Sequence, residues 1–219
     1  MTTPSTPGAL RIGFVPGVTL TKWRRIWEER FPRVPLEVTE VEVAGQRRAL
    51  VDGAVDMCFV RLPLDPEGLH AIPLYDEVPV AWMSKDLELS VLDELTVADL
   101  ADVRVIHDAE PESVELASYS AAVLLVPMSI ARSGSRRDMV YRPVVDAPPR
   151  TVALAWRADN DAEWIEEFIG VVRGRTVNSS RSARERGDQP KPADKPTRAQ
   201  KGAARAPRSG GRSGRPRRR

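Results

Sequence analysis

The sequence predicts an α/β fold centred on a parallel sheet, followed by a basic tail. Three observations predict it. Strand and helix patterns alternate as β-α-β-α-β between Leu10 and Val60, the order that gives parallel strands with right-handed crossovers. The third strand, Val55-Asp56-Met57-Cys58-Phe59-Val60, is almost continuously apolar after Asp56, as a strand covered on both faces requires. Beyond Asn178 there is no aromatic residue and no Leu, Ile, Met or Val, so that stretch cannot bury enough apolar surface to offset the entropy of ordering its backbone.

The elements follow in order. Leu10 to Val15 alternates apolar side chains up to a Pro-Gly turn and reads as a strand. Trp23, Ile26, Trp27 and Phe31 recur at helical spacing before Pro32 ends the run, and Thr19 or Thr21 can cap the helix they define. The Trp23/Trp27 pair is read as core packing of that helix, with a self-association face as the alternative. Pro35 to Val43 alternates as a half-buried strand, and Gln46 to Asp52 reads as a short helix closed by Gly53. Ile72 to Ser84 is a long extended segment in which Pro73 and Pro79 suit a strand that bends or crosses between lobes. Thr96 and Asp99 form an approximate capping box at a short helix. Val103 to His107 reads as a strand, Ser113 to Tyr119 as a helix and Val123 to Val126 as a buried strand, after which Pro127 opens a short helix through Arg132. Strands over Val140 to Val145 and Val152 to Trp156 precede an amphipathic helix over Ala162 to Arg173.

Of 219 residues, 42% are hydrophobic and 29% charged, and no apolar run approaches the roughly 18 residues of a membrane span. Met1 to Ala9 lacks the basic start and apolar centre of a signal peptide, so a cytoplasmic location without membrane contact is expected. One cysteine, Cys58, makes neither an internal disulfide nor a structural zinc site. The net charge of +2 hides an asymmetry: from Asn178 onward 14 Lys/Arg face three acids, about +11, which leaves about −9 for the rest.

Leu50-Val51-Asp52-Gly53-Ala54-Val55-Asp56-Met57-Cys58-Phe59-Val60-Arg61, then Ile72-Pro73-Leu74-Tyr75-Asp76-Glu77, Leu95 to Leu100 and Leu124 to Pro127, in this order and spacing, resemble the effector-binding (substrate-binding) domain of LysR-type transcriptional regulators. The resemblance runs from about Leu10 to Arg173. It implies a two-lobed fold like the type II periplasmic binding proteins, with a crevice between lobes that takes a small effector, and dimers through the lobe sheets. Lobe I is expected over about 10–78 and 146–177, lobe II over about 79–145, with a disordered N-terminus at 1–9 and a disordered basic tail at 178–219. Three departures stand out. With nine residues before Leu10, the family's winged helix-turn-helix is expected to be absent. Ser118-Tyr119-Ser120-Ala121-Ala122 stands where the family has a Gly-x-Gly turn, in a shortened second lobe, and Asp86-Leu87-Glu88-Leu89 replaces its His-Pro-Leu.

The turn Val15-Pro16-Gly17-Val18-Thr19 brings free backbone N–H groups to the carboxyl end of a strand, a seat for an anion. Val18, Thr19 and Thr21 are therefore candidate effector contacts, the alternative being that the threonines only cap. Arg61 and Pro63 follow the central strand; Arg61 either pairs with an effector carboxylate or sits on the surface with Asp65 or Glu67. His107 and Asp108 lie at the opposite wall or in solvent. No cofactor, metal or catalytic residue is expected, since no phosphate loop, metal spacing or nucleophile elbow is present, and Cys58 reads as an inert buried thiol.

The expected function is sensing of a small, anionic or polar organic effector, with output through self-association, a homodimer being one form, or through a partner. The alternative is a nucleic-acid-associated protein that binds polyanions non-specifically through Arg205, Arg208, Arg212, Arg215, Arg217, Arg218 and Arg219, without aromatic side chains for base stacking.

Overall fold

The structure, a computed structural model, describes residues 8–162 and 164–175. The expectations for the N-terminus up to residue 7 and for the basic tail fall outside these residues. Two sheets carry the chain, each with helices packed on it, in the two-lobed α/β arrangement expected. Lobe I holds β1 (Leu10–Phe14), β2 (Leu36–Glu40), β3 (Met57–Arg61), β4 (Leu69–Glu77) and β9 (Arg150–Arg157), in the spatial order β2-β1-β3-β9-β4. Lobe II holds β5 (Pro79–Ser84), β6 (Val105–Ile106), β7 (Val123–Pro127) and β8 (Met139–Pro143), in the order β6-β7-β5-β8.

β1 pairs in parallel with both β2 and β3, as the alternation of strands and helices requires. The sheet is nonetheless mixed, because β9 returns antiparallel to β3 and β4 is antiparallel to β9. β9, re-entering from lobe II, closes the sheet from the opposite direction, a long-range pairing that local periodicity does not encode. The extended Ile72–Ser84 segment becomes two strands in two sheets, with Val78 as the single residue between them.

Among the described residues five α-helices flank the sheets: α1 (Thr21–Arg30), α2 (Gln46–Val51), α3 (Pro111–Ser118), α4 (Met128–Ser133) and α5 (Ile165–Val172). α1 ends where Pro32 removes the next donor, but neither Thr19 nor Thr21 caps it; the N-cap position is Leu20, with no side-chain bond. The Thr96–Asp99 box does form: Thr96 N–H and Oγ1 both donate to Asp99 Oδ2 at 2.7 Å. Gly53 closes α2 at φ +67°, as expected of a left-handed terminator.

The core of lobe I is aromatic. Trp27 is fully buried, with its indole N–H donating to Val34 O at 2.9 Å, and its ring meets Phe168 edge-on at 5.6 Å. Trp23 stacks on Phe59 at 4.6 Å. Both tryptophans therefore serve the core. Asp56, within the stretch that carries the family resemblance, has a structural role: it accepts from the Arg11 backbone N–H at 2.8 Å and from the guanidinium at 2.5 Å, and the same guanidinium reaches Gly53 O at 2.7 Å. This stitches β1 to the turn ahead of β3. In lobe II, Val80, Trp82, Leu124 and Val126 form one side of the core, and Met83, Leu95, Leu100 and Val144 the other.

Candidate functional site

The carboxyl ends of β1, β3 and β4 in lobe I face the carboxyl end of β7 and the start of α4 in lobe II, where ligands of open α/β sheets gather. Arg61, last residue of β3, sits at the centre and is 4% exposed. Its backbone is fixed by one side chain: its N–H donates to Gln46 Oε1 at 2.9 Å and its carbonyl accepts from Gln46 Nε2 at 2.8 Å. Its guanidinium makes a forked pair with Glu77, the last residue of β4, at 2.6 and 3.0 Å. The same Nη2 donates to Pro16 O at 2.6 Å in the turn after β1. Across the junction, Ser129 Oγ of α4 donates to Glu77 Oε1 at 2.9 Å.

One buried carboxylate thus ties β3, β4 and α4 together. Both charges are almost dry, yet each is matched by an opposite charge and further hydrogen bonds, the condition under which a buried pair is tolerated. Among the described residues Arg61 Nη1 makes no hydrogen bond. Beside this pair the turn Val15–Val18 comes very close to lobe II. Gly17 has φ +87°, and a Cβ placed on it would lie 2.6 Å from Ser129 Oγ and 2.9 Å from Ile130 Cδ1.

The sequence-predicted residues fall in different places. Arg61 reaches the junction, but its partner is Glu77 rather than Asp65 or Glu67; Asp65 receives Arg47 at 3.2 Å instead. Val18 is buried, while Thr19 and Thr21 are exposed. These three line a depression of about 450 Å³ over Phe14 and Val38, bordered by Arg24 and Arg25 of α1. Pro63 is exposed in the loop after β3. His107 is exposed just past β6, and Asp108 accepts the Glu110 N–H at 3.2 Å within its own loop.

A second cavity, of about 220 Å³, lies where the chain crosses between the lobes and is lined by Glu77, Pro79, His107, Val126, Pro127 and Arg150 among others. Glu77, Ser129, Gln46 and Arg150 were not singled out from sequence. Glu77 alone left a signal: an acid ending an alternating strand directly before the bend at Val78-Pro79.

Cys58 is buried in β3 between Gly13 and Ala155, and burial pushes its thiol up to about 12. Among the described residues no group of three His, Cys, Asp or Glu side chains is placed to hold a metal ion, and no helix is long and apolar enough to cross a membrane.

A family model described as the LysR substrate binding domain matches residues 5–114. A probable hydrogen peroxide-inducible genes activator of Streptomyces viridosporus is 34% identical over 204 residues, covering 76% of this chain and 65% of that protein, so the chain spans a little under two thirds of its relative. Among solved structures, the BenM effector binding domain with its effector benzoate gives a TM-score of 0.65 at 18% identity, over 86% of this chain and 97% of that one. A cysteine-to-aspartate mutant of the OxyR regulatory domain from Pseudomonas aeruginosa gives 0.62 at 20% identity, over 77% and 99%. At these identities the structural likeness concerns the fold.

Proposed function

Since the chain belongs to the LysR substrate-binding domain family, we propose that it senses a small organic effector for transcription regulation in the cytoplasm, binding it reversibly at the junction of the two lobes. The observation that carries this reading is the Arg61–Glu77–Ser129 cluster, in which one carboxylate holds elements of both lobes at the carboxyl ends of their strands. An anionic effector reaching the turn at Val18 and Thr19, with Thr21 and Pro63 at its margins, would approach Arg61 Nη1, which makes no hydrogen bond among the described residues. It would shift the balance between lobe arrangements to the extent that it binds one better than the other. Output would pass through self-association or a partner.

The Streptomyces relative's name speaks of peroxide, but the residues here favour reversible binding over thiol oxidation. The chain has one cysteine, and with its thiol pushed up to about 12 by burial it holds almost no nucleophilic thiolate at neutral pH.

Thermal-shift and calorimetric titration against a panel of carboxylates, benzoate and other aromatic acids, sugars and amino acids tests the proposal. A ligand that raises the unfolding midpoint, and whose binding weakens in Thr19→Ala or Arg61→Lys, supports it. A panel without any binder removes its support. A second reading, carried by the charge of about +11 beyond Asn178, is non-specific binding of nucleic acid by that segment. A gel shift comparing the full chain with one ending at residue 177, at low and moderate salt, decides it, because retention of binding after truncation excludes the tail as the agent.

A further inference from the structure

Between Glu88 and Asp99 the sequence interleaves acids with apolar residues, and the fold leaves both kinds outside. Val91, Leu92 and Val97 are exposed, as is Val145 beyond β8. The stretch that carries the first three runs alongside β8 and its continuation. Arg142 of β8 donates from Nε to Leu92 O and from Nη2 to Ser90 O at 2.8 Å. Leu95 forms a parallel bridge with Val144, and the Val145 N–H donates to Leu95 O at 2.9 Å. The Val97 N–H donates to Asp146 Oδ1 at 2.7 Å. Both segments advance in step, so the four apolar residues are strung along one edge of lobe II. From Arg142 to Asp146 that edge spans about 13 Å at the rise of an extended chain, close to two turns of an α-helix.

Acids flank the edge. Glu88, Asp93, Glu94, Asp99 and Asp146 are exposed, and among the described residues none of them is in an ion pair. Arg142, the base on this edge, is taken up by backbone carbonyls. Apolar side chains held in water among like charges cost free energy on both counts, and a partner relieves both only by bringing an apolar face and cations together. Nucleic acid brings phosphates, which these carboxylates repel. The chain's own stretch beyond Asn178 brings cations but no aromatic residue and no Leu, Ile, Met or Val. A basic amphipathic helix brings both, with Lys or Arg flanking an apolar stripe.

We propose that this edge of lobe II docks a basic amphipathic helix of a partner protein, with Val91, Leu92, Val97 and Val145 against its apolar stripe and the flanking carboxylates against its cations. The hydrogen bonds from Arg142, Val145 and Val97 already fix the backbone that presents the four side chains, so docking orders little of this chain. The use of this surface as the output of sensing rests on the effector-sensing reading above; the docking itself does not.

Fluorescence anisotropy of the full chain with a synthetic amphipathic peptide, Leu along one helical face and Lys on its flanks, tests the surface. Two control peptides carry the same residues in scrambled order, or Gln in place of Lys. The amphipathic peptide is expected to bind at least about tenfold more tightly than either control. Val91→Ser combined with Val145→Ser, both at exposed positions, should weaken it about tenfold. Asp93→Asn with Glu94→Gln should weaken it and flatten its salt dependence. Val51→Ser, at an exposed apolar position of lobe I, and Thr19→Ala should change nothing. Absence of binding overturns the proposal, as does equal binding of the scrambled peptide or unchanged binding in the Val91/Val145 variant. Sedimentation of the chain alone as a dimer that this same variant dissociates also overturns it, by assigning the edge to a second copy. A panel of effectors without any binder would leave the peptide result standing, and failure of the peptide would leave the junction reading standing.

Discussion

Lobe I closes five strands around a cluster of aromatic rings from Trp23, Trp27, Phe31, Phe59, Trp164 and Phe168, whereas lobe II closes four over Trp82 and mostly aliphatic side chains. The surfaces differ as well. In lobe I Arg11, Arg24, Arg47 and Arg48 each pair with an acid. Between Asp86 and Glu115 lobe II carries ten acids and one base, Arg104, and among the described residues none of those acids is in an ion pair. Lobe II also exposes large apolar side chains, Val91 at 81% and Tyr119 at 75%. One domain thus carries a lobe with an aromatic core and paired surface charges beside a lobe with an aliphatic core and a run of like-charged surface acids, whose mutual repulsion works against its compact state.

The largest effects should come from the aromatic core. Trp27→Ala removes the centre of the cluster and should cost about 3–5 kcal/mol in denaturant unfolding, with loss of amide protection in lobe I. Leu124→Ala should cost about 2–3 kcal/mol and lower protection mainly in lobe II. If both variants lowered protection equally in both lobes, the contrast between them would not hold.

Next comes the junction. Glu77→Gln leaves a buried guanidinium unmatched and should cost about 3 kcal/mol, whereas Arg61→Met combined with Glu77→Leu should recover most of it. Hydrogen exchange should then show the lobes opening independently in the single variant. A double variant no more stable than the single would deny the pair its part in joining the lobes.

Cys58 sharpens the description of lobe I. Its raised value means that the folded thiol stays protonated where an unfolded one ionises. Stability therefore declines as pH rises past the ordinary thiol range, and the decline ends near pH 12. At neutral pH a thiol reagent should label Cys58 only in denaturant; fast labelling of the folded chain would show that β3 is not enclosed as described. The smallest effect concerns the acidic surface. Raising salt from low to moderate should increase amide protection in lobe II more than in lobe I, since screening relieves repulsion among unpaired acids.

How much of this the sequence discloses depends on the range of the interaction. β1, α1, β2, α2 and β3 were legible because alternation and helical spacing are local, and the Thr96–Asp99 box because its partners are three residues apart. The antiparallel closure by β9 and β4 was not, since pairing strands so far apart in the chain leaves no periodic trace. Arg61 was legible as a residue at the end of a buried strand, but its partner 16 residues on, in another strand, was not. Hydrogen bonds such as Ser129 to Glu77 exist only once two lobes meet.

At Gly17 the chain presents a hydrogen atom where any other amino acid would present a carbon. With Ser129 Oγ only 2.6 Å from the place a methyl group would occupy, the bare backbone acts as a spacer of zero thickness that sets how far the two lobes fold together. Adding one carbon there, which would also lie 3.2 Å from Arg61 Nη2, is a way to wedge the molecule ajar without removing a single charge, and so to hold it in a more open state in which effector affinity can be measured on its own.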